Sequence, residues 1–226
     1  MAKALDLEEQ EQLDQIKHFW KQYGNLISWV LIVILGGYAA WNGYQYWQRD
    51  QAAKAAVLFD EVERAASAGD LARVERSLAD MKDNFGGTHY AHQAAMLAAK
   101  ALQSKDKADA ARTALKWVVD GAPDPAYRDI ARLRLSAFLM DAGSLDEALT
   151  QLSAPFTPAM AGLAADLRGD VLQAKGQKAE ALSAYQMAWQ QLSDSPDYRR
   201  LVQAKLNALG VDPQANTTAN ASGNTK

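Results

Sequence analysis

The chain has 226 residues, a net charge of −3 and no cysteine. The lack of cysteine excludes disulfides, thiol catalysis and thiolate metal sites, and the interspersed charges give no basic footprint for nucleic acid. After the longest apolar run, about 165 residues precede a polar tail, which is enough for one domain with a sizeable core.

Residues 1–21 predict an amphipathic helix that leads into a membrane. Leu13, Ile16, Phe19, Trp20 and Tyr23 recur at steps of three and four residues, with acidic residues and lysines between them. A helix with such a face lies at the membrane–water interface, its apolar side toward the lipid.

The next segment, residues 22–47, predicts one transmembrane helix. The twenty residues from Gly24 to Gly43 carry no charge. A helix of that length is about 30 Å long, which matches the hydrocarbon core of a bilayer. Aromatic rings favour the headgroup layer, and the predicted membrane-interface residues at the two edges are Trp20, Tyr23, Trp41, Tyr44 and Trp47.

Two other interpretations fit this segment less well. A cleaved secretion signal would have a short basic start and a short apolar run, whereas here a long acidic segment precedes the run and bulky aromatic residues follow the sequence GGYAA. A buried helix of a soluble protein would show a polar stripe. The central run WVLIVIL shows none.

Small residues form a ridge along one side of the predicted span. Gly36, Ala40 and Gly43 are spaced at i, i+4 and i+7, which places them on one helix face. Such a ridge lets the backbone of a second membrane helix approach closely, so these residues predict a helix-packing site. Glycine is also common in membrane helices generally, which is the alternative interpretation.

Residues 48–210 predict an all-α domain of helix pairs that recur about every 34 residues, the period of tetratricopeptide repeats. No segment alternates as a β-strand does. In each successive pair, the break between the first and the second helix is at Gly69, Ser104, Gly143 or Gly176. Prolines at or near predicted helix starts, where a missing N–H costs nothing, are Pro125, Pro158 and Pro196.

The clearest repeat unit runs from Asp166 to Trp189. Gly169 is the small residue that lets the two helices touch, Gly176 makes the turn, and the packing positions are Leu172, Ala181, Tyr185 and Ala188. Arg168 stands where a leucine is usual in tetratricopeptide repeats, which the unit otherwise resembles. The preceding unit has its second helix shortened by two prolines, and its matching positions are Leu135, Ser136, Leu139, Gly143 and Ala148.

The first helix of each pair predicts a concave groove for peptide segments. The candidate lining residues are Ile130, Leu133, Ala137, Met140, Leu163, Asp166, Asp170 and Gln173. The first four are apolar and include an adaptable methionine, which suits contact with extended or helical peptides. Ordinary packing between repeats explains each position equally well.

Nothing in the sequence predicts catalysis, a metal or a cofactor. His89 and His92 form H-x-x-H, but a metal site needs a third or fourth ligand and the sequence supplies none nearby. Phosphate-loop, dinucleotide and nucleophile-elbow motifs are absent. The tail, residues 211–226, is polar and predicts disorder, and its N-x-S/T triplets at Asn216 and Asn220 have the composition of chance matches.

Three segments together resemble the YfgM-type ancillary subunit of the bacterial SecYEG translocon: DQIKHFWKQYGN, the span ending in YQYW, and ADLRGDVLQAKGQKAEALSAY. The resemblance covers about Glu9 to Leu209 and is most specific from Ala165 to Tyr185. It implies an inner-membrane protein with residues 1–21 in the cytoplasm and the repeat domain in the periplasm. It implies no catalytic residue.

The resemblance also implies three kinds of partner: the SecYEG translocon, a membrane-anchored periplasmic chaperone of the prolyl-isomerase type, and exported client polypeptides. Charge alone gives no orientation, because Lys17 and Lys21 on one side balance Arg49 and Lys54 on the other. The leading hypothesis is a non-enzymatic adaptor or chaperone at the export site. The alternatives are a scaffold subunit of an envelope assembly or division complex, and an enzyme accessory subunit facing the cytoplasm.

Overall fold

A computed structural model describes residues 7–103, 107–193 and 195–214, with side chains from Leu13 onward. Every regular element within these residues is an α-helix, which confirms the predicted all-α fold class. The helices are α1 Leu7–Ala68, α2 Leu71–Phe85, α3 His89–Gln103, α4 Ala108–Gly121, α5 Pro125–Asp141, α6 Leu145–Ser153, α7 Pro158–Ala174, α8 Lys178–Gln191 and α9 Pro196–Ala208.

The chain divides into two compact units between Ala53 and Lys54. The described part of the first unit is the portion of α1 up to Ala53. The second unit holds the rest of α1 together with helices α2 to α9. The boundary predicted from the sequence, between residues 47 and 48, falls slightly before this division.

Neighbouring helices of the second unit pack in chain order. Each helix from α2 to α9 contacts the next, and α5 also contacts α7. Contacts of this kind, between neighbours and between the first helices of successive pairs, are those of a helical repeat. The buried side chains form two clusters, one reaching from Ala55 to Val171 and the other from Ala165 to Leu206.

The helix ends follow the predicted signals. Pro125, Pro158 and Pro196 are the first residues of α5, α7 and α9. Gly176 has φ +79°, a conformation that costs glycine nothing, and the N–H of Gln177 donates to the carbonyl of Leu172 at 2.9 Å. The breaks predicted at Gly69, Gly143 and Gly176 are confirmed, and the break at Ser104 lies outside the described residues.

The contact between α7 and α8 matches the predicted repeat unit. A Cβ atom at Gly169 would lie 2.4 Å from Cε1 of Tyr185, so only glycine allows the tyrosine ring to cross α7 there. Tyr185 is 1% exposed, and Ala181 and Ala188 are fully buried. Gly162 makes a second close approach, which the sequence did not predict: a Cβ there would lie 2.7 Å from Cγ of Leu192.

Helix α6 has only nine residues, ending at Ser153, which confirms that the prolines shorten it. The loop that follows is fastened to α5. Nη1 of Arg132 donates to the carbonyl of Pro155 at 3.1 Å, and the N–H of Thr157 donates to Oδ2 of buried Asp129 at 2.8 Å. These bonds satisfy backbone groups that the interrupted helix leaves without partners.

Part of the two terminal predictions lies outside the described residues. Of the tail predicted to be disordered, the structure describes 211–214, where the N–H of Val211 donates to the carbonyl of Leu206 at 3.0 Å. Residues 215–226, with Asn216 and Asn220, are outside the described part of the chain. So are residues 1–6 of the predicted amphipathic segment.

Candidate functional site

In the first unit, α1 presents an extended apolar surface. The exposed large apolar side chains between Leu26 and Leu35 range from 50% to 67% exposure. In the most apolar 18-residue window of the helix, only 6% of the residues are buried. A core helix of a soluble protein would bury such a surface. By length and composition, α1 is the helix in the described part of the chain that could cross a membrane.

The predicted interface aromatics stand at the two ends of this apolar stretch. Trp20, Tyr23, Trp41, Tyr44 and Trp47 are 44–61% exposed. The rings of Tyr44 and Trp47 are stacked, with centroids 6.1 Å apart. Their seating in the headgroup layer stays a prediction.

The ridge of small residues is open. A Cβ atom added at Gly36 or Gly43 would meet nothing within 4 Å, and Ala40 between them is exposed. The first unit therefore has room for another helix along Gly36, Ala40 and Gly43. Packing by such a helix stays a prediction.

In the second unit, four of the eight predicted groove residues line two surface depressions. Met140, Asp170 and Gln173 line a depression of about 540 Å³ between α5, α7 and α9, together with Leu201. We call it the α9 depression. Ala137 lines another of about 420 Å³ between α3, α4 and α5, which we call the α3 depression.

The other four predicted groove residues lie elsewhere. Ile130 and Leu133 are half-buried against the first core cluster, and Leu163 is half-buried against the second. Asp166 is only 2% exposed. It does not line an open surface, because α9 covers it and supplies its partners. For these positions, packing between repeats is the better description.

Helix α9 is fastened to α7 by a charged network. Nζ of Lys205 lies 2.8 Å from Oδ1 of Asp166 and 2.7 Å from Oδ1 of Asp170. The hydroxyl of Tyr198 donates to Asp166 at 2.9 Å, and that of Tyr185 donates to Asp170 at 2.8 Å. Burial, followed by the hydrogen bond to a carboxylate, raises the pKa of both tyrosines. Both hydroxyls therefore remain protonated donors, and the network holds a helix in place.

The α3 depression has an apolar floor and a charged rim. Met96, Leu115 and Phe138 are 3–8% exposed and form part of the floor. Lys100, Arg134 and Asp141 stand exposed around it, and none of the three forms an ion pair within the described residues. Unpaired charges beside apolar atoms can contact a polypeptide segment that carries both kinds of group.

The two histidines of the H-x-x-H motif contact aromatic rings. The ring of His89 lies 5.4 Å from that of Tyr127, and the ring of His92 lies 5.0 Å from that of Trp117. In the described part of the chain, no group of three or more His, Cys, Asp or Glu residues could hold a metal ion.

The profile of the tetratricopeptide repeat-like domain family matches residues 17–211. A protein of Neisseria gonorrhoeae is 31% identical over 207 residues, covering 91% of this chain and 99% of its own length, and is named ancillary SecYEG translocon subunit. The chain belongs to this family. Family members with the same name in Haemophilus influenzae and Escherichia coli are 29% and 25% identical, and the matches cover 91% and 90% of this chain and 100% and 97% of theirs. No solved structure matches the chain.

In this tetratricopeptide repeat-like protein, the contact of α9 with α7 was not predicted from the sequence. Lys205 and Tyr198 are seven residues apart on α9, and Asp166 and Asp170 are four apart on α7. Each spacing puts its pair on one helix face. These complementary pairs, acidic on α7 and donor on α9, were the available sequence signal for a contact between the two helices. The rim residues Lys100 and Arg134 gave no comparable signal, because isolated cations occur on every helical surface.

Proposed function

We propose that this protein is a non-enzymatic inner-membrane subunit that associates with the SecYEG translocon and serves exported proteins as an adaptor or chaperone through its repeat domain. The observation that carries the proposal is the match along nine-tenths of the chain to proteins named ancillary SecYEG translocon subunit. The exposed apolar surface of α1 supports the membrane location. The two open depressions support a binding role for the domain.

The proposed topology places residues 1–21 in the cytoplasm and the domain in the periplasm, the side on which exported chains emerge. Because the chain has no cysteine, single cysteines can report it. A membrane-impermeant maleimide should label Ser67→Cys in intact spheroplasts, and Asp14→Cys only after lysis. Both residues are exposed in the structure. Labelling of Asp14→Cys alone in intact spheroplasts would reverse the topology and support the cytoplasmic accessory subunit instead.

The membrane contact is proposed at the ridge of Gly36, Ala40 and Gly43. A photo-crosslinking residue at Gly36 should capture a membrane segment of the translocon or of a membrane-anchored chaperone of the prolyl-isomerase type. Tyr38 is the matched control, because it lies two residues along and so on nearly the opposite helix face. Equal capture from Gly36 and Tyr38 would show that the ridge is not the contact.

The domain contact is proposed at the α9 depression. A tether raises the effective concentration of a weak binder to about the millimolar range when the linker is short, so shallow depressions can still engage clients. A photo-crosslinking residue at Met140, which lines the depression, should capture periplasmic polypeptides. Thr150, exposed on α6, is the control.

The range of captured proteins separates the two function hypotheses. Capture of many exported chains at Met140 supports an adaptor or chaperone, and capture of one folded protein supports a scaffold subunit. If the translocon copurifies while Gly36 and Met140 capture nothing, the association stands and the site assignment is wrong. If the translocon neither copurifies nor crosslinks, the proposed association is wrong.

A further inference from the structure

His92 is a buried polar group without a hydrogen-bond partner. It lies on α3, between the first-cluster residues Ala91 and Ala94, and is 1% exposed. Both Nδ1 and Nε2 are inaccessible, and neither has a partner among the described residues. Buried polar atoms are nearly always hydrogen-bonded, so a side chain with two orphaned nitrogens needs a physical explanation.

Aromatic rings from the two following helices enclose the imidazole. It stacks on Trp117 of α4, with ring centroids 5.0 Å apart and planes 20° apart. Tyr127 of α5 lies 6.4 Å away. His92 therefore sits where α3 meets both α4 and α5, and its ring is part of the packing that joins them.

The groups around this site include a lysine, an arginine and a second histidine, and Asp83 acts electrostatically on the lysine, Lys82. From α2, Nζ of Lys82 lies 5.1 Å from the ring centroid of Trp117. From α3 itself comes His89, and α4 contributes the uncharged Trp117. From α5 comes Tyr127, whose hydroxyl accepts a hydrogen bond from Nε2 of Gln93 at 2.5 Å. The guanidinium of Arg128, also on α5, is bonded to the carbonyl of Ala122 at 2.7 Å.

These surroundings disfavour the imidazolium form. Burial lowers the pKa of His92, and His89 acts in the same direction, while the backbone carbonyl of Thr88 offsets part of the effect without making a hydrogen bond of acceptable geometry. Burial also lowers the pKa of Lys82. A protonated His92 stacked on Trp117 would gain a cation–π contact, but Lys82 already lies over that ring.

We propose that His92 is an acid-sensitive lock on the packing of α3 against α4 and α5. Neutral, it stacks on Trp117 and closes the first core cluster. Once it takes a proton, the Thr88 carbonyl compensates the charge only in part, and no carboxylate forms an ion pair with the ring within the described residues. The ring therefore leaves the cluster and the three helices separate locally.

The direction of the pH dependence follows from the two states. An unfolded histidine takes its proton near pH 6.5, whereas folded His92 takes it only at lower pH. Between these values the unfolded state binds more protons. The contribution of neutral His92 to stability is therefore fully present above about pH 6.5 and is lost as the pH falls toward the folded pKa. One proton raises the unfolding equilibrium constant by at most about tenfold per pH unit.

The test compares unfolding of the full chain in detergent at pH 7.5, 6.5 and 5.5. His92→Phe keeps a ring on Trp117 but cannot titrate, and His89→Gln removes the neighbouring exposed histidine. Wild type and His89→Gln should lose stability on acidification, with the unfolding constant rising several-fold more than for His92→Phe. Carboxylate titration is common to all three proteins. An equal pH dependence in wild type and His92→Phe would overturn the proposal.

A measurement on the wild-type chain keeps the proposal testable if His92→Phe does not fold. In an NMR titration of the imidazole resonances, the His92 signals should keep their neutral values below about pH 6.5, where an unfolded histidine takes its proton. At lower pH they should broaden as α3, α4 and α5 separate. A His92 that titrates near pH 6.5 while the signals of Trp117 stay unchanged would contradict the lock.

Discussion

The two parts of α1, before and after the division between Ala53 and Lys54, are both helical, but they differ in where their apolar side chains point. We call them the first and the second half of α1. Before Ala53 the large apolar side chains face outward, and Val33 is 67% exposed. After Lys54 one stripe of apolar side chains faces inward, and its members Ala55, Val62 and Ala65 are 0–2% exposed. Hydrophobicity alone says that a residue leaves water. Whether lipid or protein receives it depends on the pattern around the helix.

That pattern differs in a way that can be read from spacing. In the first half, apolar residues surround the helix for about 20 residues, as a bilayer requires. In the second half they recur as a stripe, Ala55 and Val62 being seven apart, with charges such as Asp60 and Glu63 on the other faces. Both patterns occur on one helix, α1.

The largest effect should come from a charge placed in the first half. Val33→Arg puts a guanidinium at the centre of the apolar run, and on insertion scales a central arginine costs about 2.5–3.5 kcal/mol. The equilibrium constant for membrane insertion should fall about 70- to 400-fold. The loss is detected as a smaller amount of protein retained after alkaline carbonate extraction. Val57→Arg is the matched control, because Val57 is 68% exposed on the same helix in the second unit. Loss of both variants from the membrane would break the comparison.

In the second unit, removing a charge should be nearly as harmful as adding one in the first. Lys205→Met leaves the carboxylates of Asp166 and Asp170 without their cation. Loss of one partner of a buried pair costs about 3–5 kcal/mol, and we expect the lower end because the Lys205 side chain is 22% exposed. Urea unfolding of the full chain in detergent measures the loss, and carbonate extraction should be unchanged.

The control for that change is a lysine in a surface pair. Lys116 lies 3.5 Å from Asp120, and the two side chains are 64% and 61% exposed. Lys116→Met should cost less than about 1 kcal/mol, since exposed ion pairs contribute little. Equal losses for Lys205→Met and Lys116→Met would mean that burial of Asp166 does not control the stability of the α7–α9 contact.

A glycine-to-alanine change, which adds one methyl group, should affect thermal stability differently in the two units. In Gly169→Ala the new Cβ would meet the Tyr185 ring at 2.4 Å, whereas in Gly36→Ala it would meet nothing within 4 Å. Overpacking costs about 1–3 kcal/mol, and each kcal/mol lowers the Tm of a domain this size by about 2–4 °C. Thermal unfolding should show a lower Tm for Gly169→Ala alone. A normal Tm for Gly169→Ala would contradict the close α7–α8 contact.

The sequence allowed the fold to be predicted because each repeat carries its own local signals. Gly143 and Gly176 mark turns, and prolines mark helix starts, so the helix pairs follow from neighbouring residues. The groove was harder to predict. Whether Asp166 faces a groove or a neighbouring helix depends on where α9 docks, which the 34-residue period does not specify. Burial of a polar residue is decided by its partners, here Lys205 and Tyr198, which come more than thirty residues later.

The burial of His92 could not be predicted for a related reason. Its position at i+3 from His89 is a spacing found in pairs of metal ligands. Its actual neighbours, Trp117 and Tyr127, belong to the next two helices. An H-x-x-H pair on one helix face says nothing about what covers that face. The apolar segment of α1 was predictable because its length and composition identify it, and no specific neighbour has to be known.

The smallest effect should come from the helix that follows α1. Asp70 caps α2, its Oδ1 accepting from the N–H of Arg73 at 3.0 Å, and Asp70→Ala should cost about 1 kcal/mol, the usual loss for such a cap. Ser144 occupies the same position before α6 but makes no side-chain bond to the helix, so Ser144→Ala should change stability by less than about 0.5 kcal/mol. Urea unfolding should resolve the difference, with membrane extraction unchanged in both. If Ser144→Ala costs as much as Asp70→Ala, the cap bond is not what distinguishes these two helix starts.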